Sequence, residues 1–292
     1  MTRYFEAQAA GADAYVLGEG PLWDPDRNRL LWVDIVVGVV FAGTLEPEAG
    51  TVLVTESWPF TTTVGAVATA ADGTLLVAQR ETLTRVDTDG TRTELARVLP
   101  EGSRSRLNDG AVDPDGRFVV GSLAQDDRQG HEVLVRLEAD RGLTSIDTDL
   151  NLSNGMDWTP EGTFCSIDTV PGVVWARDYR SLGERRELMR LTDGQPDGMT
   201  IDRDGNLWIA IWGGGRVECR SPGGELLAVV ETGAPHTTSV AFAGPALDVL
   251  VITSATDGLD AAALADAPDS GRIFTADVGV TGRATPYWNP VP

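Results

Sequence analysis

Asp113-Pro114-Asp115-Gly116, followed at once by Arg117-Phe118-Val119-Val120-Gly121, is the unit from which this chain is built. The first four residues are a turn: proline presets φ, and aspartate and glycine accept the conformations a tight reversal needs. The next five form a short run of aromatic and β-branched side chains, suited to a strand buried on both faces. The pairing recurs along the chain. Turn signals stand at Asp24-Pro25-Asp26-Arg27, Ala71-Asp72-Gly73, Thr159-Pro160-Glu161-Gly162, Asp202-Arg203-Asp204-Gly205 and, more weakly, Gly244-Pro245-Ala246-Leu247. The last residues of the six turns are 27, 73, 116, 162, 205 and 247, so the intervals are 46, 43, 46, 43 and 42. Apolar runs follow at Arg29-Leu30-Leu31-Trp32-Val33, Thr74-Leu75-Leu76-Val77-Ala78 and Asn206-Leu207-Trp208-Ile209-Ala210.

A period of roughly 40–50 residues with turn punctuation is the signature of a propeller-type array. Second strands follow in most repeats, such as Thr84-Arg85-Val86-Asp87 and Gly215-Arg216-Val217-Glu218, each closed by a glycine-containing turn as in an antiparallel hairpin. Six repeats of about four strands predict an all-β fold, a six-bladed β-propeller with a central metal site, as one domain over residues 1–292. A β-sandwich with accidental spacing is the competing reading. The segment Ala14-Tyr15-Val16-Leu17 is expected to lend a strand to the last blade and close the ring. Only the alanine-rich stretch Leu259 to Ala265 is expected to make a helical turn or two.

The chain has 292 residues, 42% of them hydrophobic, enough for a packed core. Its net charge is −21, and its 23 basic residues are all arginines. An acidic surface repels phosphate backbones and anionic lipid, which argues against nucleic acid or a membrane as partner. No obligate protein partner is evident. The N-terminus lacks the basic start and apolar run of a signal peptide, and no apolar stretch is long enough to span a bilayer. Cys165 and Cys219 imply no disulfide framework, so two buried thiols in a reducing cytoplasm are expected.

Counting back eight residues from each turn lands on Glu19, Gly65, Asn108, Asn154, Asp197 and Ser239. Equivalent positions in a closed ring face the same way, so these side chains are expected to share the central channel. Glycine follows directly after Glu19, Asn154 and Asp197, and two residues after Asn108; it lets the backbone turn sharply as each inner strand begins. Glu19, Asn108, Asn154 and Asp197 offer only oxygen donors, two of them anionic. That set suits Ca²⁺ first, with Mg²⁺ or Mn²⁺ next and Zn²⁺ or Fe²⁺ less expected from ligand type.

The motifs Gly18-Glu19-Gly20-Pro21-Leu22-Trp23, Arg106-Leu107-Asn108-Asp109-Gly110, Ser153-Asn154-Gly155-Met156-Asp157-Trp158 and Pro196-Asp197-Gly198-Met199 resemble the gluconolactonase, regucalcin (senescence marker protein) and luciferin-regenerating enzyme family. Leu31-Trp32-Val33-Asp34-Ile35, Trp212-Gly213-Gly214-Gly215-Arg216-Val217 and Thr237-Thr238-Ser239 extend the likeness from Leu17 to about Phe274. The resemblance implies one divalent cation held by Glu19, Asn154 and Asp197, with Arg106 and Asn108 on the substrate side. It further implies a small-molecule lactone as substrate. Two departures stand out. Where family lactonases commonly carry an acidic pair that touches the sugar, the shorter Asp126 stands in, before a short loop. Where some members place a lysine, this chain has Leu143-Thr144-Ser145-Ile146.

These features together lead to a metal-dependent hydrolase that opens a sugar lactone, the cation polarising the carbonyl and stabilising the oxyanion. Asp197 is the candidate general base, by position and by resemblance, although a carboxylate on a dication is a weaker base. The planar fork of Arg106 suits sugar hydroxyls or a substrate carboxylate. Trp212 is expected to wall the pocket; His236, just before the Thr237-Thr238-Ser239 strand entry, is only a lesser candidate for the channel rim. Two alternatives remain: a lactonase, esterase or phosphotriesterase for a non-sugar substrate, and a non-catalytic calcium-binding propeller.

Overall fold

The computed structural model describes residues 1–126 and 128–290. Six antiparallel sheets stand around a central channel, each beginning with its inner strand. Blade 1 runs Gly18–Asp24, Arg29–Asp34, Val39–Glu46 and Thr51–Pro59. The inner strands of blades 2 to 6 are Val64–Thr69, Ser105–Val112, Ser153–Trp158, Gln195–Ile201 and Thr237–Ala243. Neighbouring inner strands touch in turn, and that of blade 6 touches that of blade 1, so the ring is closed.

The turns after the inner strands explain the repeat. Gly73, Gly116, Gly162, Gly205 and Leu247 all have positive φ, between 54° and 97°, and in blade 1 the left-handed residue is Asn28, one past the expected position. Asp113 Oδ1 accepts from the backbone N–H groups of Asp115 and Arg117 at 2.9 and 2.8 Å. Asp202 does the same for Asp204 and Asn206, both at 2.9 Å, and also receives the Trp208 indole N–H at 3.0 Å. These are local aspartate turns, which is why they are legible without tertiary information. The apolar runs that follow are buried strands, for example Phe118–Ala124 and Leu207–Trp212. Their side chains fill six separate cores, one between each pair of neighbouring blades, with Trp23, Trp32, Trp158 and Trp208 all buried.

The N-terminal segment departs from expectation. The last blade is completed by Gln8–Ala9, antiparallel to Phe274–Asp277, rather than by Ala14 to Leu17. Within that stretch Leu17 makes a single bridge to Ala255, while Tyr15 packs edge-on against Trp32 and Phe41 with ring centroids 5.8 and 5.2 Å away. Tyr15 is thus used as core, which leaves the preceding residues to do the pairing. A further strand, Arg3–Glu6, lies parallel to Leu226–Glu231 outside blade 5.

The C-terminal residues 281 to 289 form no strand but cross the end of the channel where the inner strands finish. Thr281 accepts from Arg203 N, Gly282 donates to Leu247 O, Trp288 donates to Thr69 O and Asn289 donates to Gly116 O. Arg283 pairs with Asp157 at 3.2 Å, and the Tyr287 hydroxyl reaches Asp24 at 3.0 Å. One strap therefore touches every blade. The helix lies at Ala261–Asp266, capped by Asp260, two residues later than expected. No helix of the described residues is long and apolar enough to cross a membrane.

Candidate functional site

Every inner strand breaks its ladder at the register picked out by the turn spacing. Pairing slips between Glu19 and Leu22, Val64 and Ala66, Leu107 and Gly110, Asn154 and Met156, Pro196 and Met199, and Thr237 and Ser239. A bulge re-aims side chains. Six bulges at one level of a closed ring turn their residues toward a common axis. In blades 1, 3 and 5 the slip spans two residues, so Asn108 and Asp109, and Asp197 and Gly198, stand outside the ladder.

Glu19, Asn108, Asn154 and Asp197 are all buried there, 4 to 6% exposed. The amide of Asn108 donates to Asn154 Oδ1 at 2.8 Å and to Ser153 O at 2.9 Å. Asn154 in turn donates to Thr169 Oγ1 at 2.8 Å, and that hydroxyl donates to Pro196 O at 2.7 Å. This chain fixes both amides, ties blade 3 to blade 4 and reaches the residue before Asp197. Among the described residues Glu19 accepts only from its neighbour Gly20, at 3.0 Å. The Asp197 carboxylate has no hydrogen-bond or ion-pair partner among the described residues, so both its oxygens are uncommitted.

The electrostatics report a surplus of negative charge. Burial, then the Asp109 carboxylate, push Glu19 up to about 8. Burial, followed by Glu19 and Asp109, raises Asp197 well above the usual carboxylate range, with Arg106 opposing. Arg106 is itself pulled down to about 10 by burial, against the pull of Glu19, Asp197 and Asp257. Its Nη1 donates to Asn108 Oδ1 at 2.6 Å and to Leu107 O at 3.1 Å.

Asp109 belongs to this group and was not among the expected site residues. Burial pushes it up to about 6, and it lines the cavity of about 200 Å³ between the site and the strap, together with Met156, Thr200, Ser239 and Arg283. Period-two alternation turns the residue after Asn108 away from the channel; the two-residue bulge removes that alternation. The displaced glycine in Asn108-Asp109-Gly110 was the available signal. Among the described residues no three of His, Cys, Asp and Glu stand close enough to hold a metal ion by themselves. A cation at this level would need the Asn154 amide oxygen beside the two carboxylates.

The other expected residues lie outside this cluster. Asp126 is held by Arg104 at 3.6 Å and Arg128 at 3.5 Å, and no contact links it to Arg106 or Asn108 among the described residues. Thr144 sits on Leu143–Leu150, the outermost strand of blade 3, away from the inner ring. Trp212 and His236 stack at 3.9 Å and 13°, beside Asp257, whose backbone oxygen meets His236 Nδ1 at 2.8 Å. Cys165 and Cys219 are buried free thiols.

Fold and cluster together define a six-bladed propeller with an oxygen-rich, anionic channel. The family model described as "SMP-30/Gluconolactonase/LRE-like region" matches residues 17–256, and the chain belongs to that family. A pentonolactonase of Haloferax volcanii is 37% identical over 280 residues, spanning 91% of this chain and 92% of the relative. A 6-deoxy-6-sulfogluconolactonase of Pseudomonas putida is 35% identical over 282 residues, spanning 94% and 95%. Among solved structures, that of a calcium-binding protein, regucalcin, from Agrobacterium tumefaciens superposes with a TM-score of 0.90 at 26% identity, covering 99% of both chains.

Proposed function

We propose that this chain is a metal-dependent hydrolase that opens the ring of a sugar lactone, with Glu19, Asn154 and Asp197 holding one divalent cation and Asp197 serving as general base. The observation that carries the reading is the Asp197 side chain: a buried carboxylate, 6% exposed, with no hydrogen bond to the described protein, at the same bulge level as Glu19 and Asn154. A buried charge left unpartnered is expensive, so the residue is retained for something that enters the channel. The relatives named as lactonases supply the reaction class.

The donor set fits a hard cation. It is all oxygen, two of its groups are carboxylates whose charges oppose each other's ionisation, and the Asn154 amide is locked in one orientation by Asn108 and Thr169. Bound there, a divalent cation such as Ca²⁺ supplies Lewis acidity toward the lactone carbonyl. The chain's own residues do the rest. Arg106 and Asn108 orient the substrate ring above the carboxylates. Asp197 takes a proton from the attacking water and returns it to the ring oxygen as the ester bond breaks. The strap crosses the far end of the channel, so a small-molecule lactone is expected to enter from the Trp212–His236 side. Two free, buried thiols suit a reducing compartment such as the cytoplasm.

Asp197→Asn, assayed on aldonolactones at saturating Ca²⁺, Mg²⁺, Mn²⁺, Zn²⁺ or Fe²⁺, tests the assignment. The expected outcome is a fall in kcat of roughly 10²–10⁴-fold, the usual share of a general base. An unchanged kcat would remove Asp197 from proton transfer. Absence of turnover by the unsubstituted protein on a broad lactone panel with all five metals would overturn the hydrolase reading itself.

A further inference from the structure

Two arginines are buried among the described residues, and they are treated differently. Arg177 is paired with Asp147. Among the described residues Arg106 has no ion pair, although the chain carries 44 carboxylates, and its Nε and Nη2 have no partner there. A desolvated guanidinium with free donors is a site in waiting, since its planar fork matches a carboxylate or another oxyanion.

A second cation, paired only at long range, stands beside it. Arg80 accepts the Leu107 N–H on its backbone oxygen at 2.8 Å, which sets it next to the Arg106–Leu107 peptide, close enough for the two charges to repel. Its Nη2 donates to Ser103 O at 3.1 Å. The nearest carboxylate, Glu81, lies 3.8 Å from Nε and is already taken by Arg97 at 2.8 Å and by the Ser103 N–H at 3.1 Å. Arg80 lines a recess of about 360 Å³ between blades 1 and 2, with Phe60, Thr62 and Thr63 on its other walls. Among the described residues the buried Thr63 hydroxyl has no hydrogen-bond partner. One guanidinium group and a hydroxyl without a partner thus belong to this recess, with the Arg106 charge near enough to be felt by Arg80.

We infer that this recess receives an anionic group at the end of the substrate remote from the lactone carbonyl. On this reading, which rests on the lactonase function proposed above, the preferred substrates are lactones of sugar acids bearing a second acidic group. Arg80 and Thr63 are then specificity-determining residues. The net charge of −21 does not forbid such a ligand. At physiological salt a surface charge is screened over about 8 Å, so distant carboxylates weigh little inside the recess.

The experiment compares kcat/KM for a hexaric monolactone and a 6-sulfo aldonolactone with that for the matching neutral aldonolactone, in the native sequence, Arg80→Gln, Arg80→Lys and Thr63→Val. In parallel, calorimetry measures binding of open-chain hexarate dianion to Ca²⁺-saturated protein. The acidic-to-neutral ratio is expected to favour the acidic lactones natively and to fall by about tenfold or more in Arg80→Gln, the loss of one charge-assisted bond. Arg80→Lys should fall between the two, and hexarate binding should weaken in parallel. A carboxylate ligand is distinguished from a sulfonate by which lactone loses more. If neutral lactones turn over and neither the ratio nor hexarate affinity changes in Arg80→Gln, the inference is wrong while the lactonase reading stands. If no lactone turns over, the function fails, and hexarate binding alone decides whether the anion recess exists.

Discussion

Replacing Gly155 by alanine should damage catalysis through geometry alone. Gly155 follows Asn154 on the inner strand of blade 4 and faces the inner strand of blade 5. A Cβ built there would sit 2.5 Å from Met199 N, 2.7 Å from Asp197 O and 2.9 Å from the Gly198 carbonyl carbon. All three are backbone atoms, so no side chain can swing aside. Ordinary contact begins near 3.4 Å, so blades 4 and 5 must part, and the Asp197 peptide moves by roughly 1 Å relative to Asn154. A misplacement of that size costs about 10²-fold in rate when it falls on catalytic groups. The same overpacking should cost about 1–3 kcal/mol of stability. The assay is kcat/KM on any turned-over lactone beside the thermal midpoint. Gly183→Ala serves as control, because its Cβ would meet only Ser181 Oγ at 3.2 Å, on a loop outside the channel. If Gly155→Ala keeps native kcat/KM, the close approach of these two strands does not position Asp197, and the reasoning is refuted.

Trp288 is 1% exposed and packs into the core between blades 2 and 3 although it lies on the C-terminal strap. Trp288→Ala should cost about 3–5 kcal/mol and lower Tm by several degrees; an unaltered melting curve would show that the strap adds no stability. The thiols give a test of pH dependence. Burial pushes both Cys165 and Cys219 up to about 12, and a raised thiol pKa keeps the proton on below that value. At pH 8 only roughly one thiol in 10⁴ is then ionised, so native protein should resist iodoacetamide and react only on unfolding or as pH approaches the raised value. Rapid alkylation of the folded protein at pH 8 would contradict the burial of these residues.

The repeat was readable because its signals are local. Aspartate and glycine turns such as Asp113 to Gly116 satisfy themselves within a few residues, and the apolar runs beside them bury both faces whatever surrounds them. The level of Glu19, Asn108, Asn154 and Asp197 followed from counting, since inner strands that start from equivalent turns present equivalent positions to the axis.

What the sequence could not disclose depends on contacts between distant segments. Asp109 faces the site only because the ladder slips by two residues between Leu107 and Gly110, and a bulge is settled by the partner strand rather than by the residues in it. Gln8 and Ala9 take the edge of blade 6, and Trp288 a slot between blades 2 and 3, because those places are left open by segments hundreds of residues away. Arg80 and Arg106 carry no motif in common; the Leu107 N–H bonded to Arg80 O makes them neighbours. Turn and strand preferences are properties of short stretches of chain. Which side chains meet at the channel mouth is a property of how six sheets close into a ring, and only the closed ring decides it.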